Sequence, residues 1–342
     1  MNTRRNWDKK LSTKAITPLA SGYRPELDVS HYLDDDRTNY YQSLIDILCW
    51  AVELGRIHIN VHTAMMSRFM AQPCVGHFEQ VLHIFAYLKR HDRSTLVFEE
   101  IKPTFKESAF NQCDWSEFYP KAHEAIPLNI PEHKGISVNI SVFFDADHAG
   151  NRATHCSFTG ICIYVNRAPI IWYSKKQNTL ESSTFGSEFV ALRIATETTE
   201  GLQYQLRMLG IPIDGSASVF CKNMSVVMNT TRPESTLKKK HNAIAYHRVC
   251  KAVVAGIICI TKVPTERNLA DMLTKPLPVP RLRKLCQIVL EFFRFLSPPS
   301  YVFVRFLSPP PTKSMIRRDV AIRPLSKKYG VESNICIYRT YK

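Results

Sequence analysis

Val-Asn-Ile-Ser-Val-Phe-Phe-Asp-Ala-Asp, residues 138–147, reads as a β-strand that ends on two carboxylates, Asp145 and Asp147. Val, Ile and Phe dominate the run, neither Gly nor Pro interrupts it, and such residues suit a pleated, half-buried surface. Two more isolated acids follow. Glu188 lies three residues after Phe185 and four before Leu192, on the apolar stripe of a helix. Asp271 stands in Leu-Ala-Asp-Met-Leu-Thr-Lys-Pro, 269–276. An ionised Glu facing a core is costly unless it reaches the sheet's rim or a cation. Taken singly, each acid has an ordinary explanation: Asp271 as a cap, Asp147 as a turn former, Glu188 as a solvated edge. Acids converging from separate elements suggest instead a metal-ion nuclease. Phosphodiester hydrolysis by two Mg²⁺ ions needs carboxylates that hold the metals about 3.5–4 Å apart.

Around this strand the chain shows an α/β pattern. Three strand-like runs come close together, 139–145, 159–165 and 168–174, and a long amphipathic helix over 184–209 follows, with Gly210 as its stop. A fourth strand, 217–222, leads into a short helix after Asn223; a basic helical segment (238–255), a fifth strand (257–263) and a last short helix (266–274) complete the unit. Strands followed by alternating helix and strand predict a mixed sheet with flanking helices.

Upstream, residues 1–37 are polar and irregular and read as mobile. Thr38 serves as N-cap for a helix whose apolar face is Tyr41, Leu44, Ile45, Leu48, Ala51 and Val52. Further apolar periods cover about 61–71 and 77–90, a short strand follows at 95–98, and 103–137 has the look of a linker. Residues 279–342 read as a low-order tail, in which Arg-Phe-Leu-Ser-Pro-Pro occurs at 294–299 and again at 305–310. Two copies cannot build a repeat architecture.

Composition bounds the function. The 342 residues carry a net charge of +15, with 45% hydrophobic and 11% aromatic residues. That is a globular chain with a preference for polyanions, nucleic acid before membrane. The ten cysteines form no Cys-x-x-Cys pair, and no signal-peptide-like apolar core opens the chain, which is expected of a reduced intracellular protein, cytoplasmic or nuclear. The most apolar late stretch, 285–307, is broken by Glu291, Arg294, Arg305 and prolines, so no membrane span is expected.

The motifs in order carry a resemblance. Phe-Asp-Ala-Asp-His-Ala-Gly (144–150), Pro-Ile-Ile-Trp-Tyr-Ser-Lys-Lys-Gln (169–177), Glu-Ser-Ser-Thr-Phe-Gly-Ser-Glu-Phe-Val-Ala-Leu (181–192), Lys-Lys-His-Asn-Ala-Ile-Ala-Tyr-His-Arg (239–248) and Asn-Leu-Ala-Asp-Met-Leu-Thr-Lys-Pro-Leu (268–277) resemble the ribonuclease H domain of copia-type retrotransposon polyproteins. Residues 22–99, with Tyr-Tyr-Gln-Ser-Leu-Ile-Asp-Ile-Leu-Cys-Trp-Ala-Val-Glu-Leu-Gly-Arg at 40–56, are similar to the region after the polymerase palm of the same polyproteins. The resemblance implies a ribonuclease H-like mixed five-stranded sheet over 138–278, preceded by a small helical thumb- or connection-like region over 38–102. It implies Mg²⁺-dependent hydrolysis of RNA in RNA–DNA hybrids, with Asp145, Glu188 and Asp271 as catalytic and metal-binding acids.

One position departs from the family. Its fourth acid belongs in Cys-Asp-Asn after the fourth strand, and here the chain has Cys221-Lys222-Asn223. Unit charges about 4 Å apart interact by roughly 4 kcal/mol at an effective dielectric of about 20, so replacing −1 by +1 beside divalent ions costs on the order of ten kcal/mol before relaxation. The expectation is an inactive or severely impaired nuclease whose Lys222 ammonium pairs with Asp145 or Glu188. The alternative is a non-catalytic nucleic-acid-binding remnant or pseudogene product. Lys175, Lys176, Lys239, Lys240, His241 and Arg248 are the candidate phosphate contacts to the hybrid. Tyr32-Leu33-Asp34-Asp35-Asp36 lacks the apolar flanking strands of a polymerase motif and reads as a polar turn.

Overall fold

The computed structural model describes residues 14–92, 94–105, 110, 115, 117–233 and 243–292. Three helices come first: α1 (Asp35–Glu53), α2 (Asn60–Met66) and α3 (Val75–Arg90). The apolar face of α1 behaves as its spacing requires, since Tyr41, Leu44, Ile45, Leu48 and Val52 are buried against Val81, Ile84 and Tyr87 of α3. The helix starts earlier than the Thr38 cap predicts. Asp34 is the N-cap, its carboxylate accepting from Arg37 N at 2.8 Å, so the triple-Asp run is a cap and first turn, where acids favour the helix dipole.

The segment before α1 is not irregular throughout. Ala15 and Leu19 are buried in the helical core, and Pro25–Leu27 forms a 3₁₀ turn. Residues 1–13 lie outside the described residues.

After β1 (Ser94–Leu96) comes the α/β unit: β2 (Ile140–Asp147), β3 (Phe158–Val165), β4 (Ala168–Lys176), α4 (Thr184–Met208), β5 (Ala217–Cys221), α5 (Met224–Thr231), α6 (Ala243–Val254) and β6 (Ile258–Lys262). The five-stranded sheet has the order β4-β3-β2-β5-β6. Its β2–β3 and β3–β4 pairs are antiparallel, while β2–β5 and β5–β6 are parallel. This is the mixed sheet with flanking helices that the sequence predicts.

Side chains alternate across it with the strand period of two. Val142, Phe144, Ile161, Ile163, Val219 and Ile260 face α4 and α6, where Phe189, Leu192, Ala195, Val249 and Cys250 complete one core. Cys162, Tyr164 and Phe143 face the other way, toward Leu269, Met272, Leu273, Leu282 and Leu285.

Two sequence boundaries need correction. The segment 103–137 is more than a linker: Trp115 is buried in the α4/α6-side core, and Phe105 packs 5.0 Å from Phe220. The low-order tail does not begin at 279. Residues Val279–Val289 form α7, with Leu282, Leu285, Cys286 and Val289 buried, and β7 (Leu290–Phe292) pairs antiparallel with β1. The repeat and the rest of 293–342 lie outside the described residues. The predicted helix over 266–274 is instead two 3₁₀ turns, Thr265–Arg267 and Leu269–Leu273.

The helical region rests directly on the sheet. Trp172 Nε1 of β4 donates to Val52 O at 2.9 Å, so Trp172 is a packing and anchoring residue. Ile57 joins the cluster of Leu269 and Leu273, and Phe158 packs with Val61 and Met65 of α2. Among the described residues no helix is long and apolar enough to cross a membrane.

Candidate functional site: an acid cluster with a lysine in it

β2 carries Asp145 to the end of the sheet, where it pairs in register with Gly160 of β3. That glycine decides the approach of the next element. A Cβ at position 160 would lie 2.8 Å from Ala270 O, Leu273 Cβ and Thr274 Cγ2, so only a residue without a side chain lets the 269–273 turn lie against the strand. Asn268 fixes the same turn. Its Nδ2 donates to Phe144 O at 2.9 Å, and its Oδ1 accepts from Ala270 N at 3.2 Å. Asp271 is thereby delivered to Asp145.

Lys222 follows the last residue of β5, and its Nζ completes the group. It forms an ion pair with Asp145 Oδ1 and lies 3.6 Å from Asp271 Oδ1. Thr274 Oγ1 donates to Asp145 Oδ2 at 2.8 Å. Arg281 Nη2 reaches Asp271 Oδ2 at 2.8 Å and also donates to Thr265 O. Glu188 arrives from the first turns of α4. It is buried, it receives a hydrogen bond from Asn223, and it feels the charges of Lys222 and Asp145; its Oε2 has no hydrogen-bond partner.

Burial dominates the electrostatics. It pushes the Asp145 carboxyl up to about 6, with the Lys222 ammonium pulling the other way and Asp271 adding to the rise. Burial likewise raises Glu188 to about 7, against Lys222. Asp147, whose carboxylate accepts from Phe158 N, is raised by burial to about 7. Asp271 goes down: burial opposes its charge, but hydrogen bonds with Asp145 and Arg281 and the charges of Lys222 and Lys275 outweigh it. Lys222 is held above its ordinary value, because its carboxylate neighbours, Asp145 first, overcome the effect of burial.

A site for two Mg²⁺ ions requires free carboxylate oxygens facing a common space. The residues present do not fit that requirement. Both oxygens of Asp145 face Lys222 or Thr274, and both oxygens of Asp271 face Lys222 or Arg281. Asp145 Oδ1 and Asp271 Oδ1 accept no hydrogen bond but face the Lys222 ammonium, and Glu188 Oε2 has no hydrogen-bond partner. An ammonium held between two carboxylates supplies one fixed positive charge. It has no vacant coordination position for water, so it can neutralise the acids but cannot activate a nucleophile as a metal does.

The structure therefore brings Asp145, Glu188, Lys222 and Asp271 together. Lys175 and Lys176 lie at the same end of the sheet, on β4, where Lys176 pairs with Phe158 and Phe158 with Asp147. Arg248 does not join them: it sits on α6, ion-paired to Glu200 of α4, so its charge is already engaged within the fold. Lys239, Lys240 and His241 lie outside the described residues. The sequence reading missed Thr274, Lys275 and Arg281. Thr274 stands three residues after Asp271, one 3₁₀ turn on, and that spacing was a usable signal. Arg281 gave none, because it lies where the chain reads as a tail.

No protein-family model matches the chain. The "Retrovirus-related Pol polyprotein from transposon RE1" of Arabidopsis thaliana is 31% identical over 144 residues, which are 42% of this chain and 10% of that protein. The corresponding polyprotein from transposon TNT 1-94 of Nicotiana tabacum is 26% identical over 279 residues, 80% of this chain and 18% of that protein. The chain thus spans a small part of the length of the curated relatives it matches. Among solved structures, LC11-RNase H1, isolated from compost and crystallised in complex with RNA/DNA hybrid, has 17% sequence identity and a TM-score of 0.33; the match covers 40% of this chain and 94% of that one. By sequence, the chain is similar to short parts of the retrovirus-related Pol polyproteins of plant transposons, and its mixed five-stranded sheet with flanking helices is the one the sequence predicts.

Proposed function

We propose that the chain corresponds to part of a copia-type retrotransposon Pol polyprotein, a helical post-palm region followed by a ribonuclease H-like domain. The domain binds RNA–DNA hybrids inside the cell, in cytoplasm or nucleus, and hydrolyses them weakly or not at all. The ancestral chemistry is Mg²⁺-dependent cleavage of the RNA strand, with Asp145, Glu188 and Asp271 as the metal-holding acids. One observation carries the loss: Lys222 Nζ is ion-paired to Asp145 and 3.6 Å from Asp271. A second cation brought against this ammonium meets like-charge repulsion of roughly 4 kcal/mol per unit charge at about 4 Å.

Binding asks less of the site than cleavage does. The net charge of +15 favours a phosphate backbone; Lys275 acts by its charge on Asp145, and Lys175 and Lys176 lie at the same end of the sheet. Lys239, Lys240 and His241 extend the same proposal along the sequence. Cleavage of a labelled hybrid in Mg²⁺ by the native chain and by Lys222→Asp tests the catalytic half. The expected result is little or no product from the native chain and a gain in the variant; equal cleavage by both overturns the impairment. A titration of hybrid binding against salt tests the other half, and absence of affinity at low salt overturns it.

Lys222 also favours a second reading, a non-catalytic nucleic-acid-binding remnant or pseudogene product. Hybrid binding without cleavage in both native chain and Lys222→Asp selects that reading.

A further inference from the structure

Away from the acid cluster, three side chains of metal-ligand type meet where the N-terminal segment crosses the start of α3. Asp28, Cys74 and His77 each offer one ligand atom, and these atoms lie within 4.8 Å of one another. Cys74 and His77 are buried and Asp28 is partly buried. We propose that Asp28, Cys74 and His77 form a binding site for Zn²⁺ or a similar borderline-soft divalent cation, which ties residues 23–33 to the first turn of α3.

The donor set is one sulfur, one nitrogen and one oxygen, the mixture such cations take. Zn–S near 2.3 Å and Zn–N and Zn–O near 2.0–2.2 Å need the ligand atoms to close to about 3.5 Å of one another. A shift of about 1 Å achieves this.

Each ligand is already held from behind. The His77 ring nitrogen Nε2 is 2.9 Å from Pro25 O, an acceptor only, so Nε2 carries the proton and Nδ1 the lone pair. The Asp28 carboxylate accepts from Tyr23 Oη at 2.6 Å, from Ser30 N at 2.9 Å and from Ser30 Oγ at 2.6 Å. The Cys74 sulfur accepts from the His77 backbone N–H at the start of α3. Gly76 leaves the space for the carboxylate: a Cβ there would lie 1.8 Å from Asp28 Oδ2.

The competing role for these residues is a helix cap. Cys74 N donates to His77 Nδ1 at 3.1 Å, closing a capping box with the N–H···S bond. Metal binding exchanges that hydrogen bond, and the one between the Cys74 and Asp28 side chains, for coordination bonds and releases the thiol proton. The remaining bonds on the three ligands stay in place.

Cys74→Ser separates the two roles, because a serine caps a helix as well and offers no thiolate. The native full-length chain titrated with Co²⁺ is expected to show thiolate-to-metal charge-transfer absorption saturating at one equivalent. In Zn²⁺ its unfolding midpoint rises and chelator reverses the shift. Cys74→Ser loses the absorption and the shift yet unfolds in chelator where the native chain does. Asp28→Asn weakens the site, and Tyr23→Phe, which removes the phenol behind Asp28, lowers affinity by about tenfold. No charge-transfer absorption in the native chain, or absorption unchanged in Cys74→Ser, overturns the proposal.

Discussion

Set side by side, the helical region and the sheet bury ionisable groups on opposite terms. In the helical region Asp28 and His77 are met by hydroxyls, backbone N–H groups and a carbonyl. At the end of the sheet Asp145 and Asp271 are met by an ammonium and a guanidinium. Neutral partners leave a cluster able to accept a cation. Cationic partners have already taken that place. Residue type alone does not make a metal site; the charge already spent on the carboxylates decides it.

The largest way to break the contrast is to remove the lysine's charge. Lys222→Met leaves two buried carboxylates facing each other, which costs about 3 kcal/mol of stability in chemical denaturation, at the low end for a broken buried pair because Lys222 keeps 18% side-chain exposure. The loss is expected to shrink as pH falls and Asp145 takes up a proton, beginning above pH 6 because the variant lacks the lysine that lowers this carboxyl. An unchanged midpoint at pH 8 contradicts this.

Next in size is pH, and its sign differs between regions. His58 and His62 are buried, and burial lowers both, His62 to about 3. The unfolded chain takes up protons below about 6.5 and the folded chain does not, so stability is lost as pH falls from there, by about 1.4 kcal/mol per pH unit for each histidine. Asp145, Asp147 and Glu188 are raised to about 6, 7 and 7. For these the unfolded chain releases protons first, and stability is lost as pH rises from about 4 to 7. Native-state hydrogen exchange at pH 5 and 7 should therefore weaken α1–α3 at the lower pH and the sheet at the higher. Parallel changes in both regions remove the distinction.

Much of the sheet was legible because long strands and a 25-residue helix repeat their periods often enough to be read. Asp145, Glu188 and Asp271 stood out as charges within apolar patterns. The 3₁₀ turn carrying Asp271 spans five residues, too short for its period to be told from that of a helix. Trp115 and Phe105 pack as single residues with no periodic neighbours, so 103–137 looked like a linker. Arg281 belongs to a helix of 11 residues with charges on its outer face, and its pairing with Asp271 is a tertiary fact. Cys74 and His77 were close in sequence, but Asp28 reaches them only through the fold.

Smaller effects sharpen the account. Gly160→Ala meets backbone and side-chain atoms at 2.8 Å and is expected to cost about 2 kcal/mol, with the 269–273 turn displaced from Asp145. Trp172→Phe removes the indole hydrogen bond to Val52 O and costs about 1 kcal/mol, read as faster exchange in α1 rather than in β2.

The central claim is that Lys222 stands where metals would be held. It is tested most directly by following the unfolding midpoint of native chain and Lys222→Asp as Mg²⁺ is added after chelation. The expected result is no shift for the native chain and a rising midpoint for the variant. A native midpoint that rises as far as the variant's would contradict the account.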